Sequence, residues 1–104
     1  MKNILPEEAQ KIIENGEAMV VDVRTPDEFA EGHINGAQNI NINDPLFSEK
    51  VSILNKEASY VVNCLSGGRS SRATSLLYEL GFKNVMNLEG GITAWKKVGM
   101  PVEK

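Results

Sequence analysis

Cys64 is the only cysteine of this 104-residue chain, and it begins a short segment, CLSGGRSS, whose residue types suit nucleophilic chemistry. Gly67 and Gly68 follow closely, and Arg69 comes next. Glycines let a backbone bend so that several amide N–H groups converge on one point. A thiolate held there, beside a cation, has a pKa below the ~8.5 of free cysteine. The segment therefore predicts an activated nucleophile or a phosphate-binding loop. The alternative is an unreactive core thiol, as buried free cysteines commonly are.

The elements on either side of Cys64 are expected to position it. ASYVVN (58–63) is an apolar run typical of a buried strand, and SSRATSLLYELG (70–81) carries an apolar stripe typical of a helix. In parallel α/β sheets, ligands bind beyond the carboxyl ends of the strands, where the following helix points its positive end. The expected occupant of this place is an anion, and a thiolate is one.

Strand-like and helix-like segments alternate along the rest of the chain. Further strands are predicted at 2–5, 18–23, 37–42 and 84–88, and further helices at 6–16, 25–32, 43–55 and 91–99. This alternation predicts an α/β fold with a central, mostly parallel sheet of about five strands and helices on both faces. No linker or repeat interrupts it, so we expect residues 1–104 to form a single domain.

Composition excludes several classes of function. The formal net charge is −3 and the basic residues are scattered, which argues against a nucleic-acid-binding protein. One cysteine forms neither an internal disulfide nor a thiolate metal site. No stretch has the length of a membrane span, and the N-terminus lacks the apolar run of a signal peptide. We therefore expect a cytoplasmic protein that binds neither nucleic acid nor membranes.

Three segments together resemble the signatures of the rhodanese-like domain family, in its single-domain sulfurtransferase type. They are VVDVRTPDEFAEGHINGAQNI (20–40), VVNCLSGGRSSRATSLLYELGF (61–82) and VMNLEGGITAWKKVGMPV (85–102). They follow the family's order and cover nearly the whole chain. Three signatures in order are far more specific than any one of them, so the resemblance implies the rhodanese fold.

The resemblance also implies a reaction. Cys64 would be the catalytic nucleophile: its thiolate takes the sulfane sulfur of thiosulfate, a polysulfide or a persulfide and becomes a persulfide. Cyanide, a thiol or another protein then accepts that sulfur. No metal or organic cofactor is implied. The active-site loop and anion cradle would comprise Leu65, Ser66, Gly67, Gly68, Arg69 and Ser70.

The loop length favours sulfur transfer over phosphate chemistry. Four residues lie between Cys64 and Arg69, whereas the related phosphatases of the Cdc25 type place one more there, which makes room for a phosphate. A phosphatase or an arsenate reductase is therefore the weaker interpretation. The alternative within sulfur chemistry is a non-catalytic persulfide carrier or interaction module for a partner enzyme. Leu65 departs from the basic or polar residue of many single-domain members, so polysulfide or persulfide donors are as compatible as thiosulfate.

Two charged residues, Asp22 and Arg24, end a predicted strand on the same side as Cys64. For Arg24 we favour a structural pair with Asp22 or Glu28 at the rim of the site, since arginine commonly binds carboxylates in this way. Contact with an anionic donor is the alternative. Arg69, at the end of the loop, is the better candidate for a substrate-side cation, with a structural salt bridge as its alternative.

The remaining polar and aromatic candidates are interpreted structurally. His33 is expected to hold a turn by hydrogen bonds, because the loop activates the thiol without a histidine base. Ser70 is a candidate hydrogen-bond donor at the site and is equally well explained as a residue near a helix N-cap. Trp95 is expected in the core, and the glycine pair at 90–91 is expected to permit a tight entry into the last helix.

Overall fold

The computed structural model describes residues 2–104, along which strands and helices alternate. The strands are β1 (Lys2–Ile4), β2 (Met19–Asp22), β3 (Gln38–Asn39), β4 (Ser59–Asn63) and β5 (Asn84–Leu88). The helices are α1 (Pro6–Glu14), α2 (Pro26–Glu31), α3 (Phe47–Val51), α4 (Gly68–Glu79) and α5 (Gly91–Lys97). The strands form one sheet in the order β1-β5-β4-β2-β3, and every pairing is parallel. The predicted parallel α/β sheet is confirmed.

Helices cover both faces of this sheet. One core joins the strands to α3 and α4 through Phe47, Val51, Ala73 and Leu77, and a second joins them to α1 and α5 through Ala9, Ile92 and Trp95. Successive side chains of β4 alternate between the two cores, with Val61 in the second and Val62 in the first. Because both faces are buried, apolar residues follow one another without alternation in the middle of β2 and β4. No helix of residues 2–104 is both long and apolar enough to cross a membrane.

The helix after Cys64 begins two residues earlier than the predicted 70–81, at Gly68. Its N-cap is Gly67, with a φ of 116°, in the left-handed region that glycine adopts readily. The earlier start shortens the turn between Cys64 and α4. It therefore brings the first amide groups of the helix close to the cysteine.

Two other elements are shorter than predicted. The segment 43–55 is helical only in α3, because a turn centred on Asp44 precedes it: the Asp44 carboxylate accepts a hydrogen bond from the amide of Leu46 at 2.8 Å. Of the predicted strand at 37–42, only β3 remains, at the sheet edge where β2 is its single neighbour. Neither difference changes the position of the site.

Candidate active site

Cys64 lies directly after β4, at the carboxyl edge of the sheet, and is 1% exposed. The amide of Gly67 donates a hydrogen bond to its Sγ atom at 3.0 Å. The amides of Ser66 and Ser70 and the Ser70 side chain are further hydrogen-bonding groups that lower the pKa of the Cys64 thiol. These donors surround one atom, and we call them the sulfur cradle. Such a ring of donors suits an anion.

The sulfur cradle changes the acidity of Cys64. Burial raises the pKa of the thiol, because a charged thiolate loses its hydration in the protein interior. Hydrogen bonds from the Ser70 hydroxyl and from the amides of Ser70, Gly67 and Ser66 act in the opposite direction, and the pKa falls below its ordinary value. The positive end of α4 points to the same place. The hydrogen bonds of the sulfur cradle therefore favour the thiolate form of Cys64.

The first turn of α5 holds the other side of the loop. The amide of Ile92 donates to the carbonyl of Cys64 at 2.9 Å, and the amide of Thr93 donates to the carbonyl of Leu65 at 3.0 Å. A trans peptide directs its N–H and its C=O in opposite directions. Holding the carbonyl of Leu65 therefore turns the next amide, that of Ser66, towards the sulfur. The same bonds satisfy two helix donors that have no partner within α5.

Gly91 permits this contact between α5 and the loop. Its φ is 61°, and a Cβ atom at this position would lie 2.5 Å from the carbonyl oxygen of Leu65 and 2.7 Å from that of Cys64. Any side chain would separate α5 from the loop. Sequence analysis predicted a tight helix entry here but missed this contact, because nothing in a glycine pair indicates which segment lies against it.

Ser70 is the third residue of α4, fully buried, and not an N-cap residue. Its hydroxyl lies 2.5 Å from Oδ1 of the buried Asn87, whose Nδ2 donates to Asn3 Oδ1 at 3.0 Å. These bonds fix the side chain of Ser70 beside Cys64. The sequence does not predict the role of Asn87; its only signal is a polar residue between the apolar residues Met86 and Leu88 of β5.

Arg69 is held in an ion pair in the structure and is not a free substrate-side cation. Its Nη1 and Nη2 atoms donate to Oε1 and Oε2 of Glu28 at 2.7 and 2.9 Å. The hydrogen bond from Arg69 lowers the pKa of Glu28 to about 2, so this carboxylate is charged at neutral pH. Of the two interpretations of Arg69, the salt bridge is the one that the structure contains.

Arg24 and Asp22 also form a pair, as the structural interpretation of Arg24 predicts. Arg24 is 3% exposed, and its Nη2 and Nε atoms donate to the fully buried Asp22 carboxylate at 2.8 and 3.0 Å. Nη2 also donates to the carbonyl of Gly32 at 2.8 Å, just beyond α2. The side-chain Nδ2 of Asn39 donates to the backbone carbonyls of Asp22 and Arg24. The pair therefore joins β2, β3 and α2 beside the site.

His33 and Trp95 have the structural positions expected of them. His33 Nδ1 lies 2.9 Å from the carbonyl oxygen of Phe29, and the two rings stack with their centroids 3.8 Å apart. Trp95 is 2% exposed and donates through Nε1 to the carbonyl of Pro101 at 2.8 Å. Within residues 2–104, no group of three or more His, Cys, Asp or Glu side chains could hold a metal ion.

Comparison with known proteins agrees with this geometry. The family model described as a rhodanese-like domain matches residues 5–98. The chain is 36% identical to the thiosulfate sulfurtransferase GlpE of Pseudomonas aeruginosa, over 93% of this chain and 86% of that protein. It is 40% identical to the chloroplastic thiosulfate sulfurtransferase 16 of Arabidopsis thaliana, over 80% of this chain and 78% of that protein.

A solved structure shows the same fold. The crystal structure of a rhodanese-related protein from Thermoplasma volcanium superposes with a TM-score of 0.90, at 35% identity, and covers 99% of this chain and 98% of that one. The sequence matches extend over the strands and helices that build the sulfur cradle. The chain therefore belongs to the rhodanese-like domain family and is a sulfurtransferase of the rhodanese type.

Proposed function

We propose that Cys64 carries the transferred sulfur as a persulfide. The observation that carries this proposal is the sulfur cradle, in which amides and a hydroxyl stabilise a negative charge on a buried sulfur atom. A thiolate and a persulfide are both anions, so the same donors serve both states of the enzyme. Leu65, Ser66, Gly67, Gly68, Arg69 and Ser70 form the loop that holds it.

The proposed reaction has two steps and requires no general base. In the first, the Cys64 thiolate attacks the outer sulfur of the donor. A new S–S bond forms, the bond between that sulfur and the donor breaks, and its electron pair leaves with the remainder, which is sulfite when the donor is thiosulfate. In the second, an acceptor attacks the outer sulfur of the persulfide and the Cys64 thiolate leaves. No proton is transferred in either step between anionic reactants.

Several donors and acceptors fit this chemistry. Two relatives are named thiosulfate sulfurtransferases, and we propose that thiosulfate, polysulfide or persulfide donates to this protein. Cyanide, a small thiol or a protein thiol would accept the sulfur. A single cysteine that must stay reduced suits a reducing compartment, so we propose a cytoplasmic location.

Intact-protein mass spectrometry tests the proposal. Treatment with thiosulfate or polysulfide should add the mass of one sulfur atom, and cyanide should remove it with formation of thiocyanate. The Cys64→Ser variant should gain no sulfur. An unchanged mass of the native protein after both donors would contradict a persulfide on Cys64. Steady-state thiocyanate formation separates an enzyme from a carrier, since a carrier forms the persulfide but does not turn over with small acceptors.

A further inference from the structure

The two arginines at the carboxyl edge near Cys64 are both neutralised by carboxylates. Arg24 is buried against Asp22. Arg69 is close enough to Cys64 for the two charges to interact, yet it is paired through both terminal nitrogens with Glu28. A negatively charged donor that approaches the sulfur therefore meets a paired guanidinium rather than a free one.

The carboxylate of Glu28 is held from its own helix as well as by Arg69. Its Oε1 atom accepts hydrogen bonds from the amide and the hydroxyl of Thr25, each at 3.1 Å, in a capping box at the start of α2. Because these bonds orient the carboxylate, little side-chain freedom is lost when Arg69 binds it. With a pKa of about 2, Glu28 also stays charged throughout the neutral range.

The loop that follows Cys64 exposes one large apolar side chain. Leu65 directly follows the nearly buried Cys64, and 47% of its own surface is exposed. The side chains of Glu28 and Arg69 are 30% and 27% exposed, so a donor can reach them. A doubly charged donor would have to compete with Glu28 for Arg69. Binding of a singly charged donor with an apolar group depends less on the charge of Arg69, and the apolar group can contact Leu65.

We propose that Glu28 determines donor specificity by occupying Arg69, so that the site favours singly charged donors such as alkyl persulfides over the thiosulfate dianion. This inference rests on the proposed sulfur transfer through Cys64. Glu28 does not touch the reacting sulfur in this proposal. It acts through Arg69 on the charge that the donor encounters.

Two donors that differ by one charge test the proposal: thiosulfate, which is doubly charged, and methanethiosulfonate, which is singly charged. Each transfers an outer sulfur, and each is assayed with cyanide by the thiocyanate formed. In Glu28→Gln, Arg69 is released. The ratio of kcat/KM for thiosulfate to that for methanethiosulfonate should rise about fivefold, as expected for a partly exposed charge pair. An unchanged ratio would overturn the proposal.

Three further variants make the test specific. Asp27→Asn removes the same charge from the neighbouring exposed position of α2 and should leave the donor ratio unchanged; a rise equal to that of Glu28→Gln would overturn the proposal. Arg69→Gln leaves the Glu28 charge unpaired and should lower the ratio. The double variant Glu28→Gln with Arg69→Gln should not show the rise in the donor ratio that Glu28→Gln alone produces. Arg69→Gln keeps the Thr25 capping box, so it tests the proposal even where Glu28→Gln folds poorly.

Persulfide formation separates failure of this inference from failure of the proposed function. The mass of the wild-type protein is measured after each donor. If Cys64 gains sulfur from both donors but the ratio does not respond to Glu28 or Arg69, only the specificity proposal fails. If Cys64 gains sulfur neither from these two donors nor from polysulfide, the proposed sulfur transfer fails first, and the specificity proposal fails with it.

Discussion

Hydrogen bonds to the sulfur favour the thiolate form of Cys64. Burial opposes the thiolate, and the donors of the sulfur cradle outweigh burial. Ser70 contributes twice to that balance, through its amide and through its hydroxyl. The Ser70 hydroxyl also donates to Oδ1 of the buried Asn87, which fixes the Ser70 side chain beside Cys64.

Ser70→Ala should raise the pKa of Cys64, because it removes a donor to the thiolate and leaves the burial penalty in place. Only the thiolate reacts with iodoacetamide, so a higher pKa moves the alkylation profile to higher pH. At a pH below the midpoint of the wild-type profile, the reaction should slow by roughly tenfold, as expected for a lost hydrogen bond to a charged group. Ser75→Ala, at an exposed position of α4, is the matched control. Equal profiles for all three proteins would contradict this role of the hydroxyl.

The first turn of α5 holds the backbone of the loop that carries the sulfur cradle. Its free amides bind the carbonyls of Cys64 and Leu65, and holding the Leu65 carbonyl directs the opposite amide, that of Ser66, to the sulfur. That arrangement depends on Gly91, where neither the backbone conformation nor the space admits a side chain. α5 therefore shapes the sulfur cradle through its backbone and not through a side chain.

Gly91→Ala should lower the free energy of unfolding by about 3 kcal/mol, from the strained backbone conformation and the clash with the loop together. Cys64 should also react more slowly with iodoacetamide at pH 7. Gly99→Ala is the control, since Gly99 has a φ of 83° with nothing within 4 Å of an added Cβ. It should cost about 1 kcal/mol and leave Cys64 reactivity unchanged. Urea unfolding measures the free energy of unfolding of both variants. Equal losses of this free energy in Gly91→Ala and Gly99→Ala would show that the clash with the loop costs nothing.

The Asp22–Arg24 pair acts at the scale of the whole molecule. It lies where β2 ends, binds the backbone just beyond α2, and is bound by β3 through Asn39. Both charges are almost fully removed from water. Either charge buried without its partner would lower the free energy of unfolding. The two charges therefore stabilise the fold only as a pair.

Arg24→Gln should lower the free energy of unfolding by about 3–5 kcal/mol, because it leaves the Asp22 carboxylate buried without its counter-charge. Arg72→Gln, at an exposed position of α4, should change it by no more than about 0.5 kcal/mol. Urea unfolding of the three proteins checks this. A stable Arg24→Gln protein with a selectively raised KM for thiosulfate would instead place Arg24 in contact with the donor.

Much of the site follows from local sequence signals. The apolar run before Cys64, the glycines after it and the helical stripe of α4 predicted a strand, a tight turn and a helix start, all of which are confirmed to within two residues at the helix start. The pairing of Arg24 with Asp22 was also predictable, because the two are separated by a single residue. These features depend on neighbours in the chain, for which spacing and residue type are informative.

The sequence by itself determined the parallel α/β fold, the place of Cys64 at the edge of the sheet, and the anion expected there. Only the tertiary structure decided which distant groups meet at that edge. Glu28 and Arg69 are 41 residues apart, and Ser70 and Asn87 are 17 apart. Parallel strands require long crossover connections, so residues far apart in the chain converge where the strands end. Spacing alone does not reveal such partners, because contact between them depends on how the helices pack on the finished sheet.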